Sequence, residues 1–368
     1  MLPLFVLGTY LLSSWLISLG LQRNTSIYEK SPAHNAHNLI FFTLPPLILG
    51  LYFIGFRPFN AGGDTVAYLS AFGRISNPLN ATTDAYYGTE ILFWPTQALL
   101  KYLFDERGWL ITNYLVIASL TYIAYKKTLK DTKLSPLIFA LAFITFFAVY
   151  TGNTMRQVYS IPIGLLAFHY FYQKETKKFL IFSVLATCFH WPAVIVFLYP
   201  AFARVPNKTK YYIALPALAF ASSPLISIFI DTLASVTGFS WLIEKTNLYF
   251  KSGRISHIGA VWETTNFWIC ITIYAGLLIT NSIKSYEKIS KYLLMILCLM
   301  LFFISNPDIT ERYMVWFIFS VPISVAIILS TIKIPAAAKN SVYSLFFLAM
   351  AVLVFTRASA VETLGIVL

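Results

Sequence analysis

The chain has 368 residues, of which 58% are hydrophobic and 17% aromatic, and only 11% are charged. A soluble domain carries about 25% charged residues, so an ordinary water-soluble protein is excluded and an integral membrane protein is predicted. The formal net charge of +12 would point to nucleic acid in a soluble chain; here it reports which side the loops face, and no nucleic-acid partner is expected.

Apolar runs of roughly 15 to 25 residues recur along the chain, each about long enough to cross a hydrocarbon core of ~30 Å as a helix. The first, residues 2–19, lacks a basic leader and a small-residue cleavage site, so it reads as a spanning helix and not as a signal peptide. Three lysine clusters set the orientation: Lys126, Lys127, Lys130 and Lys133; Lys174, Lys177 and Lys178; and Lys284, Lys288 and Lys291. Short basic loops stay cytoplasmic. Residues 39–56 then run outward and 57–107 form one outer segment. Within it, 89–104 is apolar but short, contains Pro95 and is headed by Glu90, which suits a re-entrant or surface-lying helix. Residues 108–125 return, and the runs 134–150 and 158–172 are joined by an outer turn at 151–157.

Residues 179–202 are flanked by bases on both sides, with Arg204, Lys208 and Lys210 following. A helical hairpin broken at Cys188-Phe189-His190-Trp191-Pro192 is predicted, each arm ~18 Å long at 1.5 Å per residue, with His190 near mid-depth. A single straight crossing is the alternative, and it would put the Lys284 cluster outside. Residues 211–230 run outward, 231–265 form a second outer segment, 266–283 return and 292–304 go out. After an outer turn at 305–312, residues 313–331 come in to Lys333 and Lys339, and 341–355 leave again. The predicted fold is all-α: one polytopic membrane domain over 1–368, with about ten crossings, two irregular pieces and both termini outside.

Cys188, Cys270 and Cys298 lie in apolar runs without paired spacing, so neither disulfide, metal site nor cofactor is expected. No repeat at a fixed period is evident, which disfavours a transporter of symmetric halves.

Ionisable residues at the ends of membrane helices are costly to desolvate and are functional candidates for that reason. In Gly62-Gly63-Asp64-x-x-x-Tyr68, glycines permit a tight backbone and hold Asp64 at the membrane surface; a capping Asp is the plain alternative. Glu90 follows Tyr86-Tyr87 and heads the short apolar helix, where capping is again the alternative. Asn153-x-x-Arg156-Gln157 stands at the mouth of an outer turn, and Arg156 offers a permanently charged, bidentate fork suited to phosphate. His190 stands in the hairpin break as a base or as a hydrogen-bonded packing residue. Asp308-x-x-Glu311-Arg312-Tyr313 brings a second Arg to the outer surface, alternatively as one half of an ion pair.

In this order, Gly62-x-Asp64-x-x-x-Tyr68, Glu90, Asn153-x-x-Arg156-Gln157, Phe189-His190 inside an apolar hairpin and Glu311-Arg312-Tyr313 resemble the EpsG-like branch of bacterial polysaccharide polymerases, which includes many Wzy-type O-antigen polymerases. The likeness runs over roughly residues 50–320 and rests on order and on placement relative to the helices. His190 is followed by Trp191-Pro192 where the family usually has small residues. The resemblance implies a GT-C-like fold in the cytoplasmic (inner) membrane, with a site facing outward. There, oligosaccharide repeat units on undecaprenyl diphosphate are joined, the growing chain passing en bloc to a hydroxyl of the next unit. It further implies a chain-length regulator and a flippase as partners beside the lipid bilayer.

Glycosyl transfer from a lipid diphosphate needs cations on the leaving diphosphate and an acceptor for the hydroxyl proton. Arg156, supported by Gln157 and Arg312, suits the diphosphate. Asp64 or His190, with Glu90 as a further candidate, suits the hydroxyl. Tyr68, Tyr86, Tyr87 and Asn153 suit the sugars. An O-antigen ligase or another lipid-linked-sugar glycosyltransferase needs the same outer site, although ligases usually carry a larger outer domain. A flippase or transporter is a further class, but it places its polar residues near the midplane. The bases divide by type: Arg57, Arg74, Arg107, Arg156, Arg254, Arg312 and Arg357 fall outside on this topology, whereas the inner loops are lysine-rich. Lysine suffices to anchor at anionic lipid; arginine is the better partner for phosphate.

Overall fold

The computed structural model describes residues 43–85, 90–128, 142, 148–238, 247, 259–356 and 362. All regular structure among them is helical. The expected first crossing at 2–19, most of the run at 134–150, much of the second outer segment, and Tyr86 and Tyr87 lie outside the described residues. The chain packs as two compact units, Met1–Phe197 with Ile332–Leu368, and Leu198–Thr331.

In the first unit, α1 (Leu44–Gly50) starts on Pro45 and Pro46, where the missing N–H groups would have had no helical partner. A π turn, Leu51–Gly55, continues it, so the apolar run 39–56 is not one regular α-helix to its end. Gly50 lets α1 approach α5 (Glu106–Thr128) closely: an added Cβ would stand 2.0 Å from the Tyr114 hydroxyl, which itself donates to the Leu47 carbonyl at 2.9 Å. α2 (Gly63–Arg74) is entered through Gly62 at φ 67°, a left-handed value that favours glycine. After α3 (Ala81–Asp84), α4 (Phe93–Lys101) supplies the short helix expected at 89–104. It begins three residues past Glu90, and Pro95 sits in its first turn, where no N–H is needed.

α6 (Ala148–Asn153) and α7 (Met155–Tyr172) are separated by Thr154, at φ −127° and ψ 46°. α7 packs on α5 and on α8 (Thr176–Phe189). The interruption predicted at Cys188-Phe189-His190-Trp191-Pro192 is present: α8 stops at Phe189 and a 3-10 helix, Trp191–Leu198, follows. α16 (Ala336–Thr356) closes the first unit.

The second unit holds α9 (Tyr199–Ala203), α10 (Thr209–Ala221), α11 (Ile226–Thr237), α12 (Thr265–Ile279), α13 (Ser282–Ser285), α14 (Glu287–Phe302) and α15 (Pro307–Thr331). The expected run 211–230 is broken between α10 and α11 at Ser222–Leu225, where Pro224 lacks the N–H a continuing helix needs. α14 packs on α9, α10 and α15. Lys291 is held by the Ala203 carbonyl at 2.6 Å and by Glu287, and Ser282 and Tyr286 bond Thr331 and Ser330 at the end of α15.

α5 and α15 are long and apolar enough to cross a membrane. Thr209–Ala221 with Ser223–Thr237, bent by 42°, makes a third if the pair counts as one span.

Candidate functional site

The end of α8 builds the site. His190 is extended, at φ −160° and ψ 116°, and Pro192 has no N–H. In a continuing helix, residue 192 would donate to the carbonyl of Cys188. That carbonyl instead accepts the Leu92 amide at 3.1 Å. The bond fastens the segment ahead of α4 to the end of α8, two residues from Glu90. Glu90 Oε1 then lies 3.4 Å from His190 Nδ1, and both side chains are buried.

The break at Thr154 puts Arg156 in the first turn of α7. A cation there stands at the unfavourable end of the helix dipole, and Glu90 offsets it. Arg156 Nη1 donates to both carboxylate oxygens of Glu90, at 2.9 and 3.0 Å. Arg156 Nε donates to the Tyr68 hydroxyl at 3.2 Å, and its guanidinium lies 5.9 Å from the Tyr68 ring centroid. The Arg156 side chain is 23% exposed and that of Glu90 only 5%, so the cluster meets its surroundings on the arginine side.

Aromatic rings wall the cluster from beneath. Tyr68 lies 6.0 Å from Phe93 and 5.9 Å from Trp94, Phe93 meets Tyr159 at 5.8 Å, and Tyr159 stacks on Phe189 at 5.4 Å and 8°. The Tyr159 hydroxyl is fixed by Asn113 at 2.7 Å, and Trp109 Nε1 donates to Gln97 Oε1 at 2.7 Å. Rings of this kind lower the local dielectric, which strengthens the charged contacts above them. Burial pushes the Glu90 carboxyl up, but the hydrogen bond from His190 and the charges of Arg156 and His190 more than reverse this and hold it at about 2. Burial also raises the Tyr68 phenol, against the opposing pull of Arg156. Glu90 is therefore a fixed anion shared by two partners, and Tyr68 a neutral hydrogen-bond acceptor for Arg156.

The family model of the EpsG family matches residues 39–365. The chain belongs to the EpsG family. No curated protein and no solved structure matches it. The EpsG family is associated with glycosyltransferase-like polysaccharide polymerases, and membership with the apolar helices points to a polysaccharide-polymerase-like membrane protein.

Of the residues singled out in sequence, this EpsG family member brings Tyr68, Glu90, Arg156 and His190 together. Asp64 is exposed, one helical turn before Tyr68 on α2, and Gly62, not Asp64, is the N-cap of that helix. Capping does not account for Glu90 either, because Leu92 is the N-cap of α4 and the carboxylate is spent on Arg156 and His190. Gln157 is buried directly behind Arg156, and Asn153 closes α6. Arg312 lies on α15 in the second unit, next to Tyr313, which is buried and meets Phe303 at 5.5 Å. The sequence motifs do not reveal Arg57, which is buried and donates to the Gly152 carbonyl at 3.3 Å. A charged residue directly at the end of an apolar run is the signal that would have found it.

Proposed function

We propose that the protein is a polymerase that joins oligosaccharide repeat units carried on undecaprenyl diphosphate, at the outer face of the cytoplasmic membrane. The observation that carries this reading is the Arg156-Glu90-His190 cluster, set on aromatic rings in a chain of the EpsG family. About ten crossings in a GT-C-like arrangement, with 57–107 outside, belong to the same reading. So do a flippase that delivers the units and a regulator of chain length.

Arg156 holds the diphosphate of the growing chain, and the positive charge draws off the electrons of the departing oxygen. The acceptor sugar hydroxyl attacks the anomeric carbon. A new C–O bond forms, the bond to the diphosphate breaks, and its electron pair leaves with the diphosphate. His190 takes the hydroxyl proton. Glu90, at Nδ1, orients the ring and stabilises the imidazolium that results, as a carboxylate does in other base-orienter pairs. Glu90 is thus a positioning residue, and Asp64 is the alternative base. Tyr68, Tyr86, Tyr87 and Asn153 are assigned to the sugars, and Gln157 to support of the diphosphate.

Purified protein in proteoliposomes, given a lipid-linked repeat unit, tests the reading. A ladder of longer lipid-linked products is expected. Movement of the substrate across the bilayer at unchanged length would make the protein a flippase. In cells, loss of the protein should leave single repeat units on the final acceptor, whereas polymer left on undecaprenyl diphosphate would indicate a ligase.

A further inference from the structure

Arg57 follows the π turn after α1, and its side chain is 1% exposed. Nη2 donates to Gly152, but Nε and Nη1, both buried, meet no hydrogen-bond partner among the described residues. A second guanidinium stands close by: Arg107 Nη1 donates to the carbonyls of Gly55 and Arg57 at 3.0 and 2.7 Å. Burial pushes the Arg57 guanidinium down to about 10, with the charge of Asp64 opposing and that of Arg107 adding.

Two hydroxyls share this condition. Thr65 Oγ1 on α2 and Thr151 Oγ1 on α6 are buried without a hydrogen-bond partner among the described residues. α6 packs against both α2 and the π turn, so the three groups stand on elements that converge around Arg57. Buried donors left unmade are costly, and natural folds hold few of them. Three such groups on adjoining elements, one of them a cation, suit an anionic oxygen ligand.

The position relative to Arg156 narrows the ligand. Gly152, which Arg57 grips, precedes Arg156 by four residues. Asp64, whose charge acts on Arg57, precedes Tyr68, the partner of Arg156, by one turn of α2. Thr65 and Tyr68, the partner of Arg156, thus stand three residues apart on α2, about 4.5 Å along its axis. We propose that Arg57, with the hydroxyls of Thr65 and Thr151, binds the second phosphate of a lipid diphosphate whose other phosphate meets Arg156. The identity of this ligand rests on the polymerase reading.

The test is competitive binding to the full-length protein in detergent, with undecaprenyl diphosphate, undecaprenyl monophosphate and inorganic pyrophosphate as probes. Wild type should prefer the diphosphate lipid by about tenfold or more, the range of a charge-assisted contact. Arg57→Gln should bring the two lipids close to equal while leaving the monophosphate affinity in place. Thr151→Val removes only an unmatched hydroxyl, so it should fold, and it should lower the same preference several-fold. Competition by pyrophosphate that Arg57→Gln abolishes would add the free anion as a ligand of the same site. A wild type without preference, or a folded Thr151→Val protein together with Arg57→Gln that both keep it, would overturn the proposal. The assay does not read chain growth. A protein that prefers the diphosphate yet never lengthens a chain would therefore sink the polymerase reading and leave this site standing.

Discussion

Arg156 Nη1 stands 2.9 and 3.0 Å from the two carboxylate oxygens of Glu90, and one of those oxygens is also 3.4 Å from Nδ1 of His190. One buried carboxylate thus fixes the proposed phosphate-binding cation and the proposed base in a single geometry. A substrate phosphate arriving at Arg156 competes with Glu90 for the guanidinium, so diphosphate binding and the environment of His190 are coupled.

Glu90→Gln should be the most damaging change to the scaffold of the site. Removing one partner of a buried ion pair costs about 3–5 kcal/mol, and the part-exposed Arg156 places the effect toward the lower end. Thermal unfolding in detergent should show a lower midpoint, and chain growth should fall by at least about a hundredfold. Glu90→Asp keeps the charge but is one methylene short of spanning both partners, and should lie between. Wild-type activity in Glu90→Gln would remove the positioning role.

Tyr68→Phe tests a single contact. The ring stays beside Phe93 and Trp94, and only the hydroxyl that accepts from Arg156 Nε is lost. A hydrogen bond to a charged group is worth about 1.5–3 kcal/mol. KM for the lipid-linked donor should rise by about tenfold or more, with kcat changed less. An unchanged KM would mean that Tyr68 does not hold Arg156 for binding.

Pro192→Ala changes no residue of the cluster, yet it should weaken the site. The new N–H at position 192 can donate to the Cys188 carbonyl, which now holds Leu92. α8 would extend past Phe189 and the tie that sets Glu90 beside His190 would be lost. Stability should change little, since Pro192 stands in the first turn of the 3-10 helix, where no N–H is needed, while chain growth falls. A variant with full activity would show that the Leu92 bond is not what positions Glu90.

The pH profile separates the candidate bases. The Glu90 carboxyl, ordinarily near 4.5, is held at about 2: burial would raise it, and His190 and Arg156 bring it down. Its value in the fold is below its unfolded value, so its stabilising charge is complete above about 4.5 and disappears as the pH falls through about 2. Loss of activity well above that range therefore belongs to a group other than Glu90, and imidazole is the side chain that ordinarily changes charge nearest neutral pH. An activity that persists to about pH 4 would move the base from His190 to a carboxylate such as Asp64.

Local features of the site were legible in the sequence because each is written in neighbouring residues. Arg156-Gln157 opening a helix, a break at His190-Trp191-Pro192, and a short apolar helix containing Pro95 within 89–104 all follow from periodicity and from proline chemistry. The joining of Glu90 to Arg156 and to His190 was not legible, since those pairs are separated by 66 and 100 residues and nothing local encodes the pairing. Apolar runs were a weaker guide to helix length. The run 39–56 changes to a π turn, and 211–230 breaks at Pro224, because apolarity reports burial in lipid or protein alike and not the continuity of the backbone bonds. Arg57 was passed over for a similar reason: in sequence it marks only where an apolar run stops, and its unmatched donors exist only in the fold.

The most direct measurement of the central claim is product length from reconstituted Arg156→Ala and Arg156→Lys beside wild type, on a defined lipid-linked repeat unit. Wild type should give a ladder of long chains. Arg156→Ala, inserted and folded, should give only the starting unit, a loss of about a hundredfold or more, and Arg156→Lys should restore little, because a point charge does not replace the planar fork. Chains of normal length from Arg156→Ala would contradict the account.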